Sequence, residues 1–415
     1  MKISRTLLTL ALSLSLFPTL NRADTPRVSF SSPEHISMGD QIILHFSPDD
    51  LGQKALPLKL ANGLLLTYGE ILALPDFYGT DTPISSGTSD INRRQLFLES
   101  FNSFSLKTES VEEAKKLIVL IHAEEKTLVE GMQNGEQPED VYEHIGREYD
   151  RQYNCVTGGG CTTDVWWLNA GRYMALASNN YDHFTDNAQI TYKIGHQIAL
   201  EQAVLAHQTH DVRTLEYAYA INAYACHFLS DRFAAGHIRT PRVELSTQTS
   251  PTEFGALLAE YMHDEENTTG LHVHNKRGDH WIAYGDKSYF NPKMQMHKII
   301  LQTALQLSAD AIFTAYQQGS LPTNADELAL IPEADETENQ GNQDIAPLFY
   351  WDAQSQHLMR RVDVSNPYDR HWTDNWWGWT TLIALNNNHS MSMKSRAVLH
   401  QPALREQAMQ SGLIN

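Results

Sequence analysis

Residues 213–237 read Arg213-Thr214-Leu215-Glu216-Tyr217-Ala218-Tyr219-Ala220-Ile221-Asn222-Ala223-Tyr224-Ala225-Cys226-His227-Phe228-Leu229-Ser230-Asp231-Arg232-Phe233-Ala234-Ala235-Gly236-His237. Apolar residues recur every three to four positions over 213–233, the period of an α-helix. On that helix His227 and Asp231 stand four apart and project from one face, so an imidazole and a carboxylate can share one metal ion. Gly236 allows the chain to turn and re-aim His237 toward a neighbouring ion. An isolated His/Asp pair at this spacing is more often a surface hydrogen bond. Here the helix is strongly apolar, and a carboxylate without a partner is costly in such surroundings. Zinc suits mixed nitrogen and oxygen ligands.

The same period appears on either side. Residues 110–131 carry Val111, Ala114, Leu117, Ile118, Ile121 and Leu128; 187–207 carry Ile190, Ile194, Ile198, Leu200, Val204 and Leu205; 292–317 carry Ile299, Leu301, Leu305, Leu307 and Ile312. Strand-like alternation is sparse outside 41–46 and 56–60. A mostly α, multi-helix domain is therefore expected over 24–320.

Residues 1–23 are expected to be a secretory signal peptide. Lys2 and Arg5 precede an apolar run over 7–20 that is short of the ~20 residues wanted by a spanning helix, and the small Ala23 follows. A membrane anchor is the alternative; export and secretion are the expectation. Residues 321–345, rich in Asp and Glu, are expected to form a solvated linker or loop. Residues 346–415 form an aromatic-rich extension in which Trp372, Trp376, Trp377 and Trp379 crowd together. These tryptophans either pack onto the helical domain or dip into a lipid headgroup layer.

Composition narrows the function. The 415-residue chain is 41% hydrophobic, ordinary for a globular core, and its formal net charge is −19, which argues against holding nucleic acid by counterion release. No nucleic-acid partner is expected. Neither a G-x-S-x-G elbow nor an H-E-x-x-H helix occurs. Cys155 and Cys161 flank a Gly-rich loop, and a local disulfide is favoured over free thiols; Cys226 reads as a buried thiol. Further ligand types stand in small clusters: Glu34-His35, Asp76-Phe77-Tyr78, Asp182-His183 and His263-Asp264-Glu265-Glu266-Asn267.

The pattern His227-x3-Asp231-x5-His237 resembles the central motif of the bacterial zinc-dependent phospholipase C family and its relatives, the single-strand-specific zinc nucleases. The strings over 227–242, 66–79 and 278–286 are similar to a Gram-negative, phosphatidylcholine-hydrolysing branch, and the resemblance spans roughly residues 30–310. It implies an all-α fold with zinc ions in a cleft. Laid on this chain, it implies that Asp76, His183, His227 and Asp231 hold one ion, with Asp231 bridging to a neighbour. His237 and His263 would hold another, completed by a carboxylate. The family pattern puts that carboxylate four residues after the histidine, where this chain has Asn267; Glu266 is the expected substitute, with Asp264 the alternative. His35 is the counterpart of an N-terminal ligand to a third ion that the family completes with a terminal tryptophan. No tryptophan stands near the expected cleavage site, so two or three zinc ions are expected.

The activity implied is hydrolysis of the glycerol-side phosphodiester of a phosphatidylcholine-like lipid at a membrane surface. Asp76 would orient or deprotonate the attacking water as well as bind metal. Phe77 and Tyr78 would face a choline cation, unless they belong to the core. Two other functions share these residues: a zinc nuclease or nucleotidase of the same architecture, and a non-catalytic, secreted metal-binding helical protein.

Overall fold

In the computed structural model the described residues are 31–162, 166, 169–179, 181–335 and 344–388. The expected signal peptide over 1–23 lies outside them. The chain opens with α1 (Ser32–Gly39), a two-stranded ribbon of β1 (Leu58–Lys59) and β2 (Leu65–Leu66), and α2 (Tyr68–Leu72). Four helices follow: α3 (Asp90–Ser105), α4 (Val111–Gln133), α5 (Pro138–Val156) and α6 (Arg172–Ser178). The central pair is α7 (Thr185–Thr209) and α8 (Val212–Asp231), succeeded by the short α9 (Ala235–Ile238), α10 (Arg242–Gln248) and α11 (Gly255–Thr269). A hairpin of β3 (Leu271–His274) and β4 (His280–Ala283) leads to α12 (Gln295–Gln318) and β5 (Glu333–Ala334). The chain then forms β6 (Phe349–Asp352), β7 (His357–Arg361), β8 (Trp372–Thr373) and α13 (Gly378–Asn388). The fold is mostly α, as the periodicity implies.

Helix α8 is the axis of the molecule. Asp211 caps it, accepting from the backbone N–H groups of Arg213 and Thr214 at 3.0 and 3.2 Å. From Ala218 to Asp231 every residue is buried, so this helix is covered on all sides rather than along one stripe. Alanines at 218, 220, 223 and 225 let α7 pack along it closely, and α12 closes over both. Gly195 on α7 is part of that fit. A Cβ there would lie 2.2 Å from the Phe97 ring and 2.7 Å from the Ala225 Cβ.

The strand content is small. Of the stretch 41–46 only Leu44 pairs, in a single bridge to Gln53, whereas 56–60 contains β1. β4, β3 and β5 make one antiparallel sheet, and β6, β7 and β8 another. Among the described residues no helix is long and apolar enough to cross a membrane.

In the C-terminal third one expectation changes and one open alternative is decided. The described part of 321–345 is not a solvated linker: Leu330, Ile331 and Ile345 are buried, the Tyr192 hydroxyl donates to buried Glu327 at 3.1 Å, and β5 pairs with β3. Its acidic residues mask apolar anchors that fasten it to the helical core. The aromatic extension also packs. Leu348, Phe349, Leu358 and Leu385 form a second core with Leu245, Leu258, Ala259 and Met262 of α10 and α11. Trp372 and Trp376 donate their indole N–H groups to the carbonyls of Pro347 and Leu358, and Trp379 lies against Phe254. Trp377 is the exposed one. Cys155 and Cys161 are joined, and Cys226 is a buried thiol.

Candidate metal centre

The C-terminal end of α8 delivers His227 and Asp231 to a buried focus. His227 Nδ1 donates to the Leu72 carbonyl at 2.9 Å, which leaves its Nε2 as a lone pair. That lone pair lies 3.0 Å from His183 Nδ1, 3.3 Å from Asp231 Oδ2 and 3.5 Å from Asp76 Oδ1. His183 Nδ1 is itself 2.7 Å from Asp231 Oδ2. His35, from α1, places Nε2 3.6 Å from the other oxygen of Asp231. Ligand atoms thus gather as two overlapping sets, His35 with His227 and Asp231, and Asp76 with His183 and His227.

Each contributor is held from behind. Thr67 caps α2 in a reciprocal box with Glu70, and α2 runs into the turn of Leu74–Asp76 that presents Asp76. Asp182 accepts from the backbone N–H groups of Ile84 and Ser85 at 2.6 and 2.7 Å, pinning the turn that carries His183. Glu34, beside His35, accepts from the backbone N–H groups of Lys287 and Tyr289 at 3.2 and 2.9 Å, tying α1 to the loop after β4. Burial and the nearby Asp286 push the Glu34 carboxyl up to about 8.

A further group adjoins the first. His237 Nδ1 donates to the His183 carbonyl at 2.7 Å, so its Nε2 is a lone pair too, 3.1 Å from His263 Nε2. His263 has Asp264 Oδ1 at 2.9 Å from Nδ1 and Asp286 Oδ2 at 3.0 Å from Nε2. His237, His263 and Asp286 are the third set of converging ligand atoms. Gly236 is needed for space rather than for a turn, because His237 sits on the short helix α9. A Cβ at 236 would stand 2.5 Å from the His263 carbonyl.

Lone pairs and carboxylate oxygens that face one another repel unless a cation or protons lie between them. Asp231 is fully buried and its Oδ1 has no hydrogen-bond donor. Burial, with Asp286 close by, pushes its carboxyl well up, and burial among His35 and His183 pushes His227 well down. Burial alone would lower His263 as well, but Asp286 and Asp264 on its two nitrogens raise it to about 10. Divalent ions at these groups would offset the buried charge of Asp231 and Asp286 and take up the lone pairs of His227 and His237, so the residues present fit a metal.

The structure brings together His35, Asp76, His183, His227, Asp231, His237 and His263, and it redistributes two expected roles. Glu266 is not in the group. Its Oε1 accepts from Arg239 Nε at 2.7 Å, and Asp286 stands where the completing carboxylate was expected. Asp264 buttresses the far side of the His263 ring. Asn267 Oδ1 accepts from the Gly236 N–H at 2.6 Å. Nothing in the spacing of α11 points to Asp286, which arrives from beyond a hairpin; its one trace is that it ends the string 278–286. Phe77 and Tyr78 are core residues. Phe77 stacks on Tyr173 at 5.3 Å, and Tyr78 lies under Arg172 and against Phe104, both rings closed to solvent.

Comparison with models of known families, with curated proteins and with solved structures returned no match.

Proposed function

We propose that the chain is a zinc-dependent phosphodiesterase and, on the resemblance of residues 227–242, 66–79 and 278–286, a phospholipase C acting on phosphatidylcholine-like lipids. The observation that carries the metal part is the convergence of imidazole lone pairs and buried carboxylates around Asp231 and, next to it, around His263. Imidazole with carboxylate suits zinc. His35, Asp76, His183, His227 and Asp231 would hold ions on one side, and His237, His263 and Asp286 on the other. Bound zinc supplies a coordinated water of lowered pKa and positive charge for phosphate oxygens.

The chain's own residues do the rest. The carbonyls of Leu72 and His183 select the tautomers of His227 and His237, so that the same nitrogen always faces the site. Asp76, with Oδ1 toward His227 and Oδ2 3.5 Å from Ser32 Oγ, is the carboxylate assigned to orient the attacking water and take its proton. Attack forms a bond from water oxygen to phosphorus and breaks the bond from phosphorus to the glycerol oxygen. The glycerol oxygen leaves with a proton, giving diacylglycerol and a phosphorylated head group.

The test is hydrolysis of a chromogenic phosphocholine ester by the mature protein. Exhaustive chelation is expected to abolish turnover and zinc to restore it. Full turnover after confirmed metal loss sinks the metal hydrolase. Metal-dependent cleavage of single-stranded DNA without cleavage of the ester moves the substrate from lipid to nucleic acid.

A further inference from the structure

The hairpin that joins His263 to Asp286 carries a separate cluster on its outer face. β3 and β4 alternate strictly: Leu271, Val273, Trp281 and Ala283 point into the core, while His272, His274, His280 and Ile282 point outward. The antiparallel register sets His274 directly opposite His280, and β5 sets Glu333 opposite His274 on its other side. Opposite residues on one face bring their Cβ atoms within about 5.5 Å. The two imidazoles lie with centroids 5.9 Å apart and planes inclined by only 31°. His274 Nε2 is 3.9 Å from Glu333 Oε2.

A second feature is independent of this register. His274 Nδ1 faces Asp335 Oδ1 at 2.7 Å, so the ring donates to a carboxylate through that nitrogen and presents Nε2 as a lone pair on the side of Glu333. A histidine anchored by a carboxylate on one nitrogen and open on the other is the arrangement found behind metal-ligating imidazoles. Zn–N bonds of ~2.0–2.1 Å put two nitrogens on one ion roughly 3.3 Å apart. The ligand atoms do not converge as they stand, and an ion would draw the exposed His280 and Glu333 side chains onto itself by changes of rotamer. The other groups facing the site are Lys276, whose ammonium is 3.9 Å from Glu333 Oε1, and His272, which is held by Asp344 at 2.5 Å.

We propose that His274, His280 and Glu333 form a surface site for a divalent transition-metal ion of the zinc, copper or nickel class, distinct from the buried centre. Imidazole pairs with one carboxylate suit these ions, and solvent completes the coordination. An ion here bonds β3 to β4 and β5. It would therefore stiffen the hairpin whose two ends lead to His263 and Asp286. The site does not depend on the phospholipase reading.

The test is equilibrium dialysis of the full mature chain against rising free zinc, with metal counted by emission spectroscopy. The wild-type chain is expected to take up one ion more than His280→Ala at micromolar zinc, with the tightly held ions equal in number. Zinc is expected to raise the melting temperature of the zinc-loaded wild type further, and not that of His280→Ala. Asp335→Asn is expected to weaken the extra ion by roughly 10–100-fold while leaving the tight ions alone. Identical counts in wild type, His280→Ala and Asp335→Asn over the whole range overturn the site. Absence of tight ions from every chain, with the difference at His280 retained, would instead remove the buried centre.

Discussion

Asp286 and Glu266 show how one carboxylate is placed where it could ligate a metal while another serves as a strut. Both are buried acids within reach of the His263 region, but Glu266 has Arg239 Nε at 2.7 Å and Asp286 has His263 Nε2 at 3.0 Å. Asp286→Asn is expected to lower bound zinc by one ion per chain, because the neutral amide cannot balance the charge between His237 and His263. Glu266→Gln is expected to keep the count and cost stability, of the order of 1–3 kcal/mol, through the weakened bond to the half-buried Arg239 guanidinium. Metal analysis and thermal melts of the two variants decide between them, and the opposite pattern returns the ligand role to Glu266. At this scale the sequence was partly legible. His227 and Asp231 stand out because a polar i, i+4 pair inside an apolar helix is costly unless something buried binds it. Asp286 does not, because its partner is reached only through a hairpin. Phe77 and Tyr78 misled for the converse reason: adjacency to Asp76 in the chain says nothing about which way a ring packs.

Among the elements, α4 carries a second buried acid away from the candidate metal centre. Glu124 is held by the Tyr153 hydroxyl, which donates to Oε2 at 2.5 Å, and burial pushes its carboxyl up from 4.5 to about 8. The folded chain keeps this proton where the unfolded chain has lost it. Unfolding free energy from this group is thus fully present below about pH 4.5 and falls as pH rises toward 8, by at most about 1.4 kcal/mol per pH unit. Glu124→Gln keeps an acceptor for Tyr153 and has nothing to titrate. The stability of the wild type relative to this variant is expected to fall steadily from pH 4.5 to 8. Urea melts at four or five pH values measure it, and a flat difference rules the assignment out. The helices themselves were the most legible feature. The repeats over 110–131, 187–207, 213–233 and 292–317 correspond to Val111–Gln133, Thr185–Thr209, Val212–Asp231 and Gln295–Gln318, with ends displaced by a few residues where caps and 3-10 turns intervene.

For the whole molecule, the decisive relation is between the C-terminal extension and α11. The sheet of β6, β7 and β8 with α13 covers Leu245, Leu258 and Met262, and α11 carries His263 on its other side. Arg361 of β7, fully buried, donates to Glu265 on the same helix at 3.0 Å. Truncation before Tyr350 uncovers this face. Each large apolar side chain exposed costs about 1.5–3 kcal/mol against a typical domain stability of about 5–15 kcal/mol. The truncated chain is expected to melt far lower and to lose hydrolysis of soluble short-chain esters and of vesicles together. Loss confined to vesicles would give the tail back its membrane role. The acidic stretch before it could not be read correctly from composition, because a handful of buried residues, Leu330, Ile331 and Ile345, decides where the strand goes.

What the sequence determined by itself is the helical class, the axis helix and the pair His227 and Asp231, since all three rest on periodicity within a single segment. Period and spacing are local, and one helix realises them whatever surrounds it. Which distant groups meet that pair lies beyond periodicity: the family resemblance pointed to His35, Asp76 and His183, and only the tertiary structure brought in Asp286. His35, Asp76, His183 and Asp286 come from four different segments, and their convergence depends on α7 and α12 closing over α8 and on Glu34 fastening α1 to the loop of Asp286. A ligand set is a property of packing: its members share a point in space, and the chain records no distance between them.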